Sequence, residues 1–191
     1  MKLTREQWLT KFVDTVRPTF NEAGFPLPER IRVTCGWPSK MARSEKKRAI
    51  GEHWSPKASD DATHEISVSQ VVSDPMEVAA ILVHELGHAA TDGDGHKGRF
   101  PKCMDAMLLE GKPTSTVAGE QFKLAFAKVI ASLGDYPHAK VNVGRGKKTQ
   151  TTRMMKAVCP QCEYTVRLSQ KWAAIGLPSC PCCDETFELR G

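Results

Sequence analysis

A chain of 191 residues is the size of one ordinary domain, or of one domain with a small appendage. It is 40% hydrophobic and 26% charged, enough apolar material for a core, and no stretch approaches the roughly 18 apolar residues of a membrane span. The opening "MKLTREQWLTKFVDTV" carries charges throughout and lacks the apolar centre of a signal peptide, so a cytosolic protein is expected. The net charge of +5 is uneven: residues 1–139 balance 18 basic against 18 acidic side chains, whereas 140–158 hold six basic residues and no acid.

Taken in chain order, Trp8, Leu9, Phe12, Val13 and Val16 recur at helical spacing behind a capping Thr4, which predicts a helix from about Arg5 that ends before Pro18. "RIRVTCGW" (30–37) alternates as a strand, "RAIGEHWS" (48–55) more weakly, and "THEISVSQVV" (63–72) more strongly. "SDPMEVAAILVHELGHAA" (73–90) opens with Asp74 as N-cap, Pro75 at the first helical position and Glu77 completing a capping box. A helix from Phe100 to Leu109, stopped by Gly111, should follow. Another from Thr116 to Leu133 would place Phe122, Leu124, Phe126, Val129 and Ile130 along one side. "NVGRGKKTQTTR" reads as a linker, and the remainder as a small cysteine-rich module. The expected class is α+β, with units at 1–139 and 157–191 joined by a basic linker over 140–156.

Within the 73–90 helix, His84 and His88 stand one turn apart on one face and can aim at a common ion, with Glu85 one step round. The helix supplies two ligands, so a third must come from elsewhere. A metzincin would carry it six residues beyond the second histidine, with a glycine midway, but those positions are Asp94 and Thr91. Glu110 and Glu120 are the candidates for a glutamate from a later element. "GHKGRF" offers His96, behind glycines that can turn the chain back.

These residues resemble the SprT-like zinc metalloproteases, which include the proteases of DNA–protein crosslinks. The family pattern of HExxH, a short loop and Gly-His-Gly-x-x-Phe stands here as His84-Glu85-Leu86-Gly87-His88, residues 89–94, then Gly95-His96-Lys97-Gly98-Arg99-Phe100, its second glycine displaced by one position. The resemblance implies a zincin-like core: an N-terminal helix, a small three-stranded sheet, the HExxH helix and further helices. It implies His84, His88 and His96 as ligands of a catalytic Zn2+, and Glu85 as the base that takes a proton from the attacking water and passes it to the leaving nitrogen. Substrate would pair along an edge strand, for which residues 63–72 are the candidate. His53, His64 and His138 lack ligand spacing and read as strand or loop residues, with His138 kept as a potential donor to the cleft.

Seven cysteines without a leader segment point to metal rather than disulfides. Cys35 and Cys103 are isolated and read as core thiols. "CPQC" and "CPCC" give C-x2-C-x17-C-x2-C, a structural zinc spacing, with Cys159, Cys162, Cys180 and Cys183 as ligands and Cys182 as the one ambiguous thiol. Ahead of it lie Lys140, Arg145, Lys147, Lys148, Arg153 and Lys156, and on the ribbon Arg167, Lys171 and Trp172 add charge and a stacking surface. The expected function is therefore a monomeric zinc endopeptidase associated with DNA or the nucleoid, cleaving DNA-bound or crosslinked proteins without sequence readout. The alternatives are a transcription-associated zinc-ribbon protein that binds nucleic acid without catalysis, and a protease specific for one partner.

Overall fold

The computed structural model describes residues 3–41, 44, 47–144 and 154–190. They form two compact units, Met1–Val143 and Gly144–Gly191, both mixing helix and sheet. Among the described residues, no helix is long and apolar enough to cross a membrane.

The first unit starts with helix α1 (Arg5–Glu22), closed at its N-terminus by a reciprocal box in which Thr4 and Gln7 each bond the other's backbone N–H. It runs on through Pro18, beyond the expected stop. Pro18 lies on the exposed side of the helix, as does Asp14, whose carbonyl it leaves without a helical partner, and buried Val16 and Phe20 hold the last turn to the core. Strands β1 (Ile31–Cys35), β2 (Gly51–Trp54) and β3 (His64–Val68) form a sheet of order β1-β3-β2. β3 runs parallel to β1 and antiparallel to β2. The expectation that 63–72 forms the edge is corrected: β3 is central and β2 is an edge. The alternation of β3, with His64, Ile66 and Val68 buried, marks one covered face and does not report the edges, whereas β2 is half-buried over Gly51–His53 and exposed at Trp54.

Helix α2 (Pro75–Ala90) starts at Asp74, whose carboxylate accepts from the Glu77 N–H. Helix α3 (Phe100–Ala106) ends earlier than expected, because Gly111 belongs to a hairpin of β4 (Leu109–Lys112) and β5 (Ser115–Ala118). Residues 116–118, expected to open the last helix, are therefore strand, and helix α4 spans Glu120–Leu133. Leu124, placed on its inner side by periodicity, is 77% exposed, while Phe122 and Phe126 are buried.

Trp8 is fully buried, stacks on Phe12, meets Tyr136 edge-on and donates its indole N–H to the Gly134 carbonyl at 2.9 Å. It ties α1 to the turn after α4. Trp8→Ala should destabilise the first unit by about 3–5 kcal/mol, read as the urea midpoint of unfolding, with Trp8→Phe costing clearly less because the ring contacts survive.

Candidate metal centres

Helix periodicity sets His84 and His88 side by side, with ring centroids 5.0 Å apart. Gly87 between them serves packing: a Cβ there would lie 2.1 Å from the Met104 Cε and 3.3 Å from the Phe100 ring, so its absence lets α3 close against α2. The chain then turns through Gly93, Gly95 and Gly98 at φ of +94°, +57° and +56°, conformations that side chains disfavour. The Asp94 carboxylate accepts the Arg99 backbone N–H at 2.9 Å inside this turn. His96 is thereby returned to 5.6 Å from the His84 ring and 4.7 Å from that of His88.

One nitrogen from each of the three rings lies within 4.8 Å of the others, inside the reach of a single ion. Beneath them is Phe100, fully buried. Its ring stacks on His88 at 4.1 Å and meets His84 and His96 edge-on at 5.1 and 5.3 Å. His84 is also held from outside, its Nδ1 2.8 Å from the Thr116 hydroxyl on β5, which leaves its Nε2 free for an ion. Burial pulls His84 down to about 4 and His88, with help from the neighbouring rings, to about 3, so both are uncharged at neutral pH, as ligands must be.

Glu85 is buried at 7% exposure and its carboxyl is pushed up to about 8, by desolvation first and then by the negative field of Glu52. It fits because β2 carries glycine opposite it: a Cβ on Gly51 would stand 2.3 Å from the Glu85 Oε1 and 2.8 Å from Ile81. Glu85, the three histidines, His53, Asp92 and residues 114–116 line one cleft of about 720 Å³. Neither acidic alternative for a third ligand joins this group. Glu110 turns toward Gly119, and Glu120 pairs with Lys123 at 2.7 Å. His138 does not line the cleft either: it lies 3.4 Å from Arg5 and 2.8 Å from the Gln70 carbonyl.

Two histidines read as ordinary strand residues prove to be neighbours of the centre. His53 Nε2 and His64 Nδ1 are 2.9 Å apart, and the His53 ring lies parallel to His88 at 6.1 Å. The signal for them is non-local, since β2 and β3 must pair before the two positions meet.

In the second unit, β6 (Met154–Val158), β7 (Thr165–Ser169) and β8 (Glu188–Arg190) form a sheet of order β7-β6-β8, with a short helix α5 (Gln170–Ile175). β6 starts ahead of the expected boundary at 157, so Lys156 is a strand residue. The two cysteine turns are built alike. Cys159 and Cys180 each accept, at the carbonyl, the N–H of a left-handed acidic residue four positions on, Glu163 and Asp184. The sulfurs of Cys159 and Cys183 are 3.3 Å apart, those of Cys162 and Cys180 3.4 Å, and those of Cys162 and Cys183 3.7 Å. A tetrahedral ion with ligand bonds of about 2.3 Å needs sulfurs roughly 3.8 Å apart, so this set fits a closed four-thiolate shell. Cys182 stands outside the group, exposed, with only its backbone N–H reaching the Cys180 sulfur. Cys35 and Cys103 are buried, and neither joins a metal group.

Lys156, Arg167, Lys171 and Trp172 are exposed on this unit, and Lys140 is exposed on the first. Arg145, Lys147, Lys148 and Arg153 lie outside the described residues.

Thr116→Val removes the bond that orients His84 and should weaken metal binding at the histidine site 10- to 100-fold, measured by competition with a chelating dye, leaving the four-cysteine site unchanged. A second outcome follows from Glu85. With a folded value near 8 against an ordinary 4.5, the carboxyl binds its proton more tightly in the folded chain, so its burial costs stability increasingly as pH rises from 4.5 through 8. In chelator-stripped protein, Glu85→Gln should melt close to wild type at pH 5 and several degrees higher at pH 8.5. Compared with family models, curated proteins and solved structures, the chain matches none.

Proposed function

We propose that this protein is a zinc-dependent endopeptidase of the SprT-like kind that acts on proteins held on DNA. The observation that carries the reading is the convergence of His84, His88 and His96 on one point, with Glu85 buried beside them in an open cleft. Three neutral imidazoles and no carboxylate favour a borderline-soft ion such as zinc, and leave it a position open to the cleft. Zinc held there would supply Lewis acidity, polarising a carbonyl and acidifying a water. The rest falls to the chain. Glu85, poised high by its burial, is the group placed to take a proton and return it to the departing amine.

The sheet supports the substrate half of this reading. The Ser69 N–H donates to the Ile50 carbonyl, so by the antiparallel register Glu52 and Trp54 spend their backbone groups on β3. Gly51 and His53 then direct theirs to the free edge, beside α2, where an extended peptide can add as a strand. Backbone pairing reads little side-chain identity, in keeping with many different protein substrates. The three-stranded sheet with an antiparallel edge strand beside the histidine helix supports reading the unit as a zincin-like core.

Support for nucleic acid comes from the second unit. Register places Lys156 directly opposite both Arg167 and Arg190, three like charges in one row across the sheet. Like charges in facing positions destabilise a sheet, and among the described residues none of the three has an ion-pair partner. A phosphate backbone would relieve that repulsion. Trp172 is 58% exposed beneath the Lys171 ammonium at 5.0 Å, a surface on which a base can stack.

The test is hydrolysis of a histone with and without DNA by the zinc-loaded chain. Cleavage should rise with DNA, vanish in Glu85→Gln, and fall at least tenfold in Gly51→Ala with zinc content intact, because the new methyl displaces Glu85. Each of Lys156→Ala and Arg190→Ala should reduce the salt slope of DNA binding by about one. Cleavage unchanged in Glu85→Gln ends the peptidase reading, and cleavage indifferent to DNA ends the recruitment.

A further inference from the structure

Five of the chain's six histidines gather around one cleft, and the motif accounts for three. The other two form a pair whose chemistry is constrained. His53 stands on the inner side of β2 and lines the cleft with Ser55 and Asp92, and His64 lies behind it, buried at the start of β3. Their rings are 5.2 Å apart, joined by the 2.9 Å contact between His53 Nε2 and His64 Nδ1.

A hydrogen bond between two imidazoles needs one N–H and one bare nitrogen, so the pair cannot carry two charges while the bond lasts. When both rings are neutral, the shared bond uses one hydrogen and one lone pair. One hydrogen and one lone pair then remain at the outer nitrogens, His53 Nδ1 and His64 Nε2. Among the described residues neither outer nitrogen has a hydrogen-bond partner, and neither is an orphaned buried atom, a description that there fits only the Tyr136 hydroxyl. When His64 donates to His53, the remaining hydrogen sits on His53 Nδ1, at the wall of the cleft. The parallel ring of His88, 6.1 Å away, keeps the His53 ring next to the metal centre. The His53 backbone N–H and C=O are the same groups that face the free edge of β2, so a peptide pairing there runs alongside the residue whose side chain lines the cleft.

We infer that His53, with its tautomer set by His64, donates a hydrogen bond to a carbonyl oxygen of the peptide in the cleft, and that this bond strengthens as the oxygen becomes negative during hydrolysis. The inference rests on the peptidase reading and adds a second polar group to it, on the strand rather than on the helix. No proton is consumed: the hydrogen stays on His53, and the proton shuttled in hydrolysis remains with Glu85. An alternative occupant of the pair, a second metal ion, would require both facing nitrogens to be bare at once and would draw in Asp92, whose Oδ2 instead takes a bond from Ser55 at 3.4 Å.

The experiment uses the full chain loaded with zinc. Nitrogen-15 histidine spectra of wild type should show a scalar coupling across the His53–His64 bond, and its absence, with both rings free to exchange tautomers, would overturn the inference. His53→Phe keeps a flat ring against His88 and deletes both nitrogens, and His53→Ala repeats the measurement without the ring. Both should retain two zinc ions and lose roughly 10²- to 10³-fold in kcat with little change in KM, the effect of removing one donor to a developing oxyanion. Affinity for a phosphonamidate peptide, which mimics that oxygen, should fall by a similar factor. Affinity of the uncleaved peptide for each variant carrying Glu85→Gln should hold within about threefold. A kcat within threefold of wild type in both variants, or loss of one zinc, overturns the inference and leaves the peptidase reading standing. A wild-type chain that holds zinc but neither cleaves peptide nor binds the phosphonamidate removes the reading and the inference together.

Discussion

The first unit is organised around the need to bring three imidazoles to one place, two of them partly buried and the third on an exposed loop. His84 and His88 are partly buried, which is expensive for an imidazole unless its nitrogens are used, while His96 reaches in from the exposed loop. The phenyl ring of Phe100 stacks under one imidazole and turns its edge to the other two, so a single apolar side chain fixes the spacing of all three. To bring Phe100 there, α3 must approach α2 more closely than any side chain at position 87 would allow. To bring His96 there, the chain must pass through three left-handed glycines within six residues. The strained loop and the glycine inside a helix are thus two consequences of the same demand.

Glu85 shows the opposite economy. Its carboxyl is buried, raised by desolvation, and faces a second carboxylate, Glu52, across β2. Glu52 is itself held by the backbone N–H and hydroxyl of Ser39, which fix it on the outer side of the sheet. A fold selected for stability alone would place an amide or an aliphatic chain at position 85. Keeping a costly acid beside an ion seat, with a glycine cut into the facing strand to admit it, is the arrangement expected where a proton must be taken and returned.

Much of this was legible in the sequence where the signal is local. The Asp74-Pro75 start, the turn-to-turn spacing of His84 and His88, the glycines around His96 and the two CxxC turns each declare themselves within a few residues. What escaped depends on contacts between distant segments. Gly111 followed by "TSTVAGE" reads as a helix stop and a new start, but the stretch forms the hairpin β4–β5, because Thr116 is needed against His84. β3 was expected at the edge but lies between β1 and β2, because alternation tells which face of a strand is covered and not which strands pair along its edges. His53 and His64 carry no spacing at all. Their meeting is a product of register, since on the inner face of the sheet position 53 faces 66 across the β2–β3 ladder, leaving 64 as its diagonal neighbour. A helix that appeared to end at Pro18 continues, because a proline on the solvated side gives up one bond and leaves the buried side intact.

The two candidate metal seats follow opposite rules, and the difference bears on what each unit can do. The histidine seat offers three ligands in an open cleft, and its surroundings are those of a folded core with its own apolar packing. The cysteine seat is closed by four thiolates, and the unit around it has a buried cluster of only Ala157, Cys159, Cys180 and Phe187, two of them ligands. So small a core cannot offset the conformational entropy of some forty residues, and a structural ion would contribute about 10–16 kcal/mol toward it. Stability drawn from an ion at one end of the sheet does not depend on the composition of its outer face. That face can then hold Lys156, Arg167 and Arg190 in one row, a pattern that a unit stabilised by side-chain packing alone would be hard pressed to tolerate.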